Sequence, residues 1–121
     1  FWPGPLTLIL PLQPELGLDL GDLGGTIAVR VHDHDFTREL LRVTGPLAVS
    51  SANTTGNPAA TTIAEASAQL GDSVAVYLDG GPASGPVPST IVDLTGEPTV
   101  LRAGRISAAE LAVHLPGLIE G

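Results

Sequence analysis

Apolar positions along this chain alternate between two patterns, short β-branched or leucine-rich runs and longer stretches with helical spacing. The runs predict strands at Leu6–Leu10, Thr26–Val31, Leu47–Ser50, Val74–Leu78, Ser89–Leu94 and Thr99–Leu101. Between them, Thr37 is placed to cap a helix reaching Val43, closed by Gly45-Pro46. Thr62-Ile63-Ala64-Glu65 reads as a capping box that opens a helix to Leu70, with Gly71 as its stop. Ser107-Ala108-Ala109-Glu110 repeats the design ahead of Leu111 and Leu115, with Pro116-Gly117 as the stop.

Strands and helices alternating in one small unit predict an α/β layer architecture. Ser89–Leu94 and Thr99–Leu101 lie too close for a crossover helix. Thr95-Gly96-Glu97-Pro98 therefore reads as a hairpin turn, and the sheet is expected to be mixed. Leu16–Gly25 and Gly80–Pro88 read as surface loops.

Composition supports an ordered domain. Hydrophobic residues reach 43% and charged residues 15% of the 121 positions, and mean hydropathy is +0.31, the opposite of a disordered chain. No apolar run approaches about 18 residues, so no membrane association is expected. The chain opens on Phe1-Trp2-Pro3-Gly4 and contains no Met, and large aromatics in the first two positions would normally be covered. It reads as a piece of a longer protein. No signal peptide is visible, and the expected location is the cytoplasm.

Charge and missing residue types exclude several functions. The net charge of −8 is spread along the chain and repels phosphate backbones, which counts against a general nucleic-acid binder. The absence of Cys removes disulfide scaffolds, thiolate zinc sites and cysteine nucleophiles. There is no Lys for a Walker loop, no dinucleotide-binding glycine fingerprint and no nucleophile elbow.

His32-Asp33-His34-Asp35 has the look of a metal cluster. Strand alternation would put the two His on one face, leaving zinc short of a third ligand, so the segment reads as a polar loop with no metal. Asn53-Thr54-Thr55 matches a glycosylation acceptor by accident, given no secretory signal. Ser50-Ser51-Ala52-Asn53-Thr54-Thr55-Gly56-Asn57-Pro58 is more informative, because it follows one predicted strand and precedes a helix. Its small hydroxyl and amide residues suit either a phosphate-holding loop at a strand's C-terminal edge or a plain polar turn.

All five basic residues are Arg, and two stand at predicted strand ends, Arg30 and Arg102. Each is placed either as an anion clamp or as an internal salt-bridge partner. Arg38 and Arg42 are four apart on a predicted helix and read as solvated, and the pattern leaves Arg105 undecided.

Five motifs occur in order: Trp2-Pro3-Gly4-Pro5-Leu6-Thr7-Leu8-Ile9-Leu10, Thr26-Ile27-Ala28-Val29-Arg30-Val31, Ser51 to Pro58, Ser89-Thr90-Ile91-Val92-Asp93, and Leu101-Arg102-Ala103-Gly104. Together they resemble the YrdC-type L-threonylcarbamoyladenylate synthases over almost the whole chain. The resemblance implies a twisted, mixed open α/β sheet with flanking helices, its N-terminal part missing, so that residues 1–121 are the C-terminal two-thirds of a single YrdC-like domain. It implies a nucleotidyltransferase that makes threonylcarbamoyl-AMP and pyrophosphate from L-threonine, bicarbonate (or CO2) and ATP with Mg2+. A partner complex then transfers the threonylcarbamoyl group to tRNA.

By the same resemblance, Thr26, Ser51, Asn53 and Arg102 bind ATP, while Arg30 and Ser89 hold threonine; no catalytic residue is assigned. Two alternatives accompany this reading. One is the YrdC-like domain of a hydrogenase-maturation carbamoyltransferase, and the other is a non-catalytic double-stranded RNA-binding module. The sequence departs from the family in places. The family's Lys-x-Arg phosphate-binding segment is absent, His32 stands where Pro is common, and Ala59 lies near a position that is often Ser. Without those two cations the segment alone should lose about 3–6 kcal/mol of ATP affinity and be weak or inactive.

Overall fold

The computed structural model describes residues 1–19 and 24–121. Five strands, β1 (Leu6–Pro11), β2 (Thr26–Val29), β3 (Thr90–Asp93), β4 (Thr99–Arg102) and β5 (Ile119–Glu120), form one sheet in the order β2-β1-β3-β4-β5. β1 pairs antiparallel with β2 and parallel with β3. β3 pairs antiparallel with β4, which pairs parallel with β5. The sheet is open and mixed, as the Thr95–Pro98 turn predicts. The Asp93 carboxylate ties that turn, accepting from the Thr95 N–H at 2.8 Å and its hydroxyl at 2.7 Å. Both bonds hold the Asp93 carboxyl below its usual range.

The chain divides into two compact units, one of residues 1–33 with 87–121 and the other of residues 34–86. The first unit carries the sheet and the core. Alternation along β1, β3 and β4 sends Leu6, Val92 and Val100 to one side, where Ile106 and Leu111 complete the buried cluster. Leu111 belongs to α3 (Ala108–Ala112). Thr90 is fully buried on the same side. Its hydroxyl donates to Ile106 O at 2.6 Å and accepts from Ile106 N at 3.0 Å, so no polar group there is left unpaired.

The predicted box opens α3. The Ser107 hydroxyl accepts from Glu110 N at 3.3 Å while the Glu110 carboxylate accepts from Ser107 N at 2.9 Å. Hydrogen bonds from the Ser107 hydroxyl, then its N–H, hold the Glu110 carboxyl below its usual range. A depressed carboxyl stabilises the fold above its unfolded value, and the benefit disappears as pH falls through the folded one. Ser107→Ala should therefore flatten the loss of Tm on acidification from about pH 6 to about pH 3. An unchanged acid limb would remove this role from the box.

The second unit holds α1 (Asp35–Thr44) and α2 (Ile63–Leu70). The cap of α1 is His34, three residues before the expected Thr37. Its Nδ1 accepts from Thr37 N at 3.3 Å and pairs with the Thr37 hydroxyl at 2.9 Å. His34 Nε2–H then donates to Gly80 O at 2.9 Å, which sets the tautomer. α2 starts and stops as predicted, with Thr62 Oγ1 accepting from Glu65 N at 3.2 Å and Gly71 at φ 48°. The Glu65 carboxylate takes the Thr61 N–H at 2.7 Å and hydroxyl at 3.0 Å.

Two predicted strands are absent and one strand went unpredicted. Leu47–Ser50 and Val74–Leu78 are irregular, with Leu47, Val49, Val76 and Leu78 exposed. β-branched residues favour a strand only where a neighbour pairs the backbone and a face is buried, and these segments have neither. β5 is two residues long, too short to show periodicity. β2 ends at Val29 instead of Val31, although Gly4 N still donates to Val31 O at 2.8 Å. Gly80–Pro88 is irregular, as expected. The expected Leu16–Gly25 loop lies partly outside the described residues, and the chain before it makes a 3₁₀ turn at Pro14–Leu16.

Candidate functional site

The β1–β2 register places Leu8 opposite Val29 and Ile9 opposite Ala28. Alternation along β1 turns Thr7 to the sheet face away from the buried core, and Arg30 directly follows the end of β2 at Val29. A register shift between Ile91 and Val92 sets Arg102 opposite Ile91, which turns Arg102 toward that same face. Ser89 precedes β3 by one residue with the same alternation. Thr7, Ser89 and Arg102, from three separate stretches of sequence, thus share one surface of the first unit, and Arg30 lies close enough for the Arg102 charge to act on it.

Hydrogen bonds fix the arrangement. Arg102 spans the Ser89 carbonyl with two donors, Nε at 3.1 Å and a terminal NH2 at 2.8 Å, and the same NH2 reaches Ser89 Oγ at 3.0 Å. Ser89 is buried, and its Oγ also meets Thr7 Oγ1 at 2.8 Å. Arg30 Nε donates to Gly4 O at 2.9 Å. Both arginines are held by backbone carbonyls, which orient a guanidinium without neutralising it. This differs from Arg38 and Arg42, which form exposed i,i+3 pairs with Asp35 and Glu39 on α1.

Burial lowers the Arg30 pKa first, followed by the positive charges of Arg102 and Arg105. The Arg30 guanidinium thus lies close enough to both for their charges to act on it. Arg105, which the sequence pattern leaves undecided, has its backbone anchored beside Ser89, its N–H donating to Pro88 O at 3.2 Å.

The other residues expected in the site are placed as follows. Thr26 opens β2, four residues before Arg30 and roughly 13 Å from it at 3.3 Å per residue. Ser51 and Asn53 belong to the second unit. Their loop is knit to α2 by Gln69, which the sequence reading missed. Gln69 Oε1 accepts from Thr54 N at 3.0 Å, and Gln69 Nε2 donates to Pro58 O at 3.0 Å. Asn53 Nδ2 donates to Thr54 O at 3.1 Å. Both ring nitrogens of His34 serve the helix cap and Gly80, which gives the His32–Asp35 segment a structural use.

The fold is an open mixed α/β sheet with Arg102 on the face away from the core, and the relatives of the chain narrow the class. Residues 1–104 match the Sua5/YciO/YrdC family model, described as telomere recombination, and the chain belongs to this family. It is 37% identical over 114 residues to the threonylcarbamoyl-AMP synthase of Bacillus subtilis (strain 168), covering 92% of this chain and 33% of that protein. A Mycobacterium tuberculosis (strain ATCC 25618 / H37Rv) protein, provisionally named for the same activity, is 51% identical over 113 residues, covering 93% of this chain and 52% of that protein. Among solved structures, Pyrococcus abyssi Sua5 complexed with L-threonine superposes with a TM-score of 0.85 at 32% identity, covering 100% of this chain and 36% of that one. The chain spans about half the length of the curated mycobacterial relatives it matches, and a third of the longer ones. No helix among the described residues is long and apolar enough to cross a membrane.

Proposed function

We propose that the protein carrying this chain is an L-threonylcarbamoyladenylate synthase, forming threonylcarbamoyl-AMP and pyrophosphate from L-threonine, bicarbonate and ATP for tRNA modification. We also propose that residues 1–121 are part of a single YrdC-like domain. The observation that carries the reading is Arg102 fixed on Ser89 with Arg30 nearby, in a chain whose relatives bear that enzyme's name. Threonine brings a carboxylate and ATP a triphosphate, and both call for fixed guanidinium groups.

In the proposed step, an oxygen of the threonine carbamate attacks the α-phosphorus in line. The new P–O bond forms as the bond to the β-phosphate oxygen breaks, and pyrophosphate leaves. Magnesium accompanies the ATP phosphates as part of that substrate. The chain supplies orientation and charge: Arg30 and Ser89 hold the threonine carboxylate and Arg102 and Thr26 the nucleotide, while Ser51 and Asn53 of the second unit are proposed by resemblance as ATP-binding residues. The product passes to the proteins that transfer the threonylcarbamoyl group to tRNA, all within the cytoplasm.

The full-length protein should release pyrophosphate from ATP only when L-threonine and bicarbonate are both present. Release that depends on carbamoyl phosphate instead would transfer the assignment to a hydrogenase-maturation carbamoyltransferase. Arg30→Lys keeps the charge but loses the planar fork that matches a carboxylate. It should raise KM for threonine about tenfold and leave KM for ATP within about twofold. Equal effects on both substrates would remove Arg30 from the threonine site.

A further inference from the structure

The three-centre contact among Thr7, Ser89 and Arg102 has a constraint built into it. A guanidinium has no acceptor and keeps its protons, so Ser89 Oγ must accept from the Arg102 NH2 at 3.0 Å. Ser89 has one proton left to give, and Thr7 Oγ1 stands 2.8 Å away. Two arrangements satisfy this geometry. Ser89 can donate to Thr7, in which case its proton is spent within the protein. Alternatively Thr7 donates to Ser89, whose oxygen then accepts twice and whose own O–H turns outward. Ser89 is only 6% exposed, so water has little room to substitute for Thr7.

We propose that Thr7 is a positioning residue whose hydroxyl decides whether Ser89 donates inward or toward a bound carboxylate. The inference rests on the assignment of Ser89 to the threonine site. In the unliganded site the Ser89 proton goes to Thr7. When an anionic carboxylate settles between Arg30 and Ser89, the pair reverses: the Thr7 O–H rotates to donate to Ser89 Oγ, and the Ser89 O–H rotates to donate to the ligand carboxylate. The relay moves no net charge and breaks no covalent bond. It lets one hydroxyl be satisfied in both states, which a buried serine facing a fixed arginine could not achieve alone.

The test uses Thr7→Val, which keeps the β-branched shape on β1 and removes only the hydroxyl, and Thr7→Ser, which keeps the hydroxyl. Both are made in the full-length protein. L-threonine binding is measured by calorimetry, and KM for threonine and for ATP by pyrophosphate release. Thr7→Val should weaken L-threonine binding and raise its KM roughly five- to tenfold, with KM for ATP within about twofold. Thr7→Ser should restore the threonine values. Threonine binding that is unchanged in Thr7→Val, or equally weakened in Thr7→Ser, overturns the relay. Wild-type protein that binds L-threonine but releases no pyrophosphate strikes the proposed reaction alone, and the relay is then decided by the calorimetry of the two variants. Wild-type protein that binds no L-threonine overturns both.

Discussion

Arg102→Ala should raise KM for ATP by one to two decades and, unlike a pure phosphate ligand, should raise KM for L-threonine as well. The first effect follows from the loss of a charge-assisted contact worth about 1.5–3 kcal/mol. The second follows from the geometry. Arg102 holds the Ser89 carbonyl with two donors and the Ser89 hydroxyl with one of them. Removing it frees the backbone of one proposed threonine ligand and deprives its hydroxyl of a fixed donor. Arg102→Lys separates the two roles. A lysine keeps the charge for phosphate but has no fork to span Ser89, so it should recover most of the ATP affinity and little of the threonine affinity. If Arg102 were only an internal strut, Arg102→Ala would lower Tm and leave both KM values near wild type. Measuring Tm and both KM values on the same variants separates these outcomes.

The coupling between Arg102 and Ser89 marks the boundary of what could be read from the residues alone. Strands β1, β2, β3 and β4 announce themselves because runs such as Leu6–Leu10 and Thr90–Asp93 are apolar, β-rich and bounded by Gly, Pro or Asp. The starts of α2 and α3 are equally plain, since a hydroxyl followed three residues later by Glu has a local mechanism. Arg30 and Arg102 stand out because arginines are few here and these two sit at strand ends. Their proximity is a different matter. It depends on register, and for Arg102 on the shift between Ile91 and Val92, which no local pattern encodes. The backbone bond from Arg105 to Pro88 is equally invisible in the sequence. Leu47–Ser50 fails in the opposite direction, because β propensity without a pairing partner leaves an exposed irregular segment. His34 replaces Thr37 as the α1 cap because its ring can serve the helix and Gly80 together, a long-range reward that cap statistics do not contain.

Gly104→Ala should be among the most damaging single methyl additions in the first unit. A Cβ at Gly104 would lie 2.4 Å from Thr90 N, 2.5 Å from Pro88 O and 2.5 Å from Ser89 C. All three are backbone atoms, so no side-chain rotation relieves the clash. The segment leaving β4 must therefore lift off the Pro88–Thr90 backbone. That movement strains the Arg105 N to Pro88 O bond on one side and the Arg102 grip on Ser89 on the other. Overpacking of this kind costs typically 1–3 kcal/mol, and the contact with three fixed atoms puts Gly104→Ala at about 3 kcal/mol. Tm should fall by about ten degrees, with KM for L-threonine rising alongside. Gly96, in the β3–β4 turn, is the internal control, because a Cβ there has no neighbour within 4 Å. Gly96→Ala should leave both Tm and KM close to wild type. If the two variants melt together, the Ser89 segment is not clamped by the close passage of Gly104. If Gly104→Ala alone melts early while threonine KM stays unchanged, the crossing supports the sheet but does not position the site.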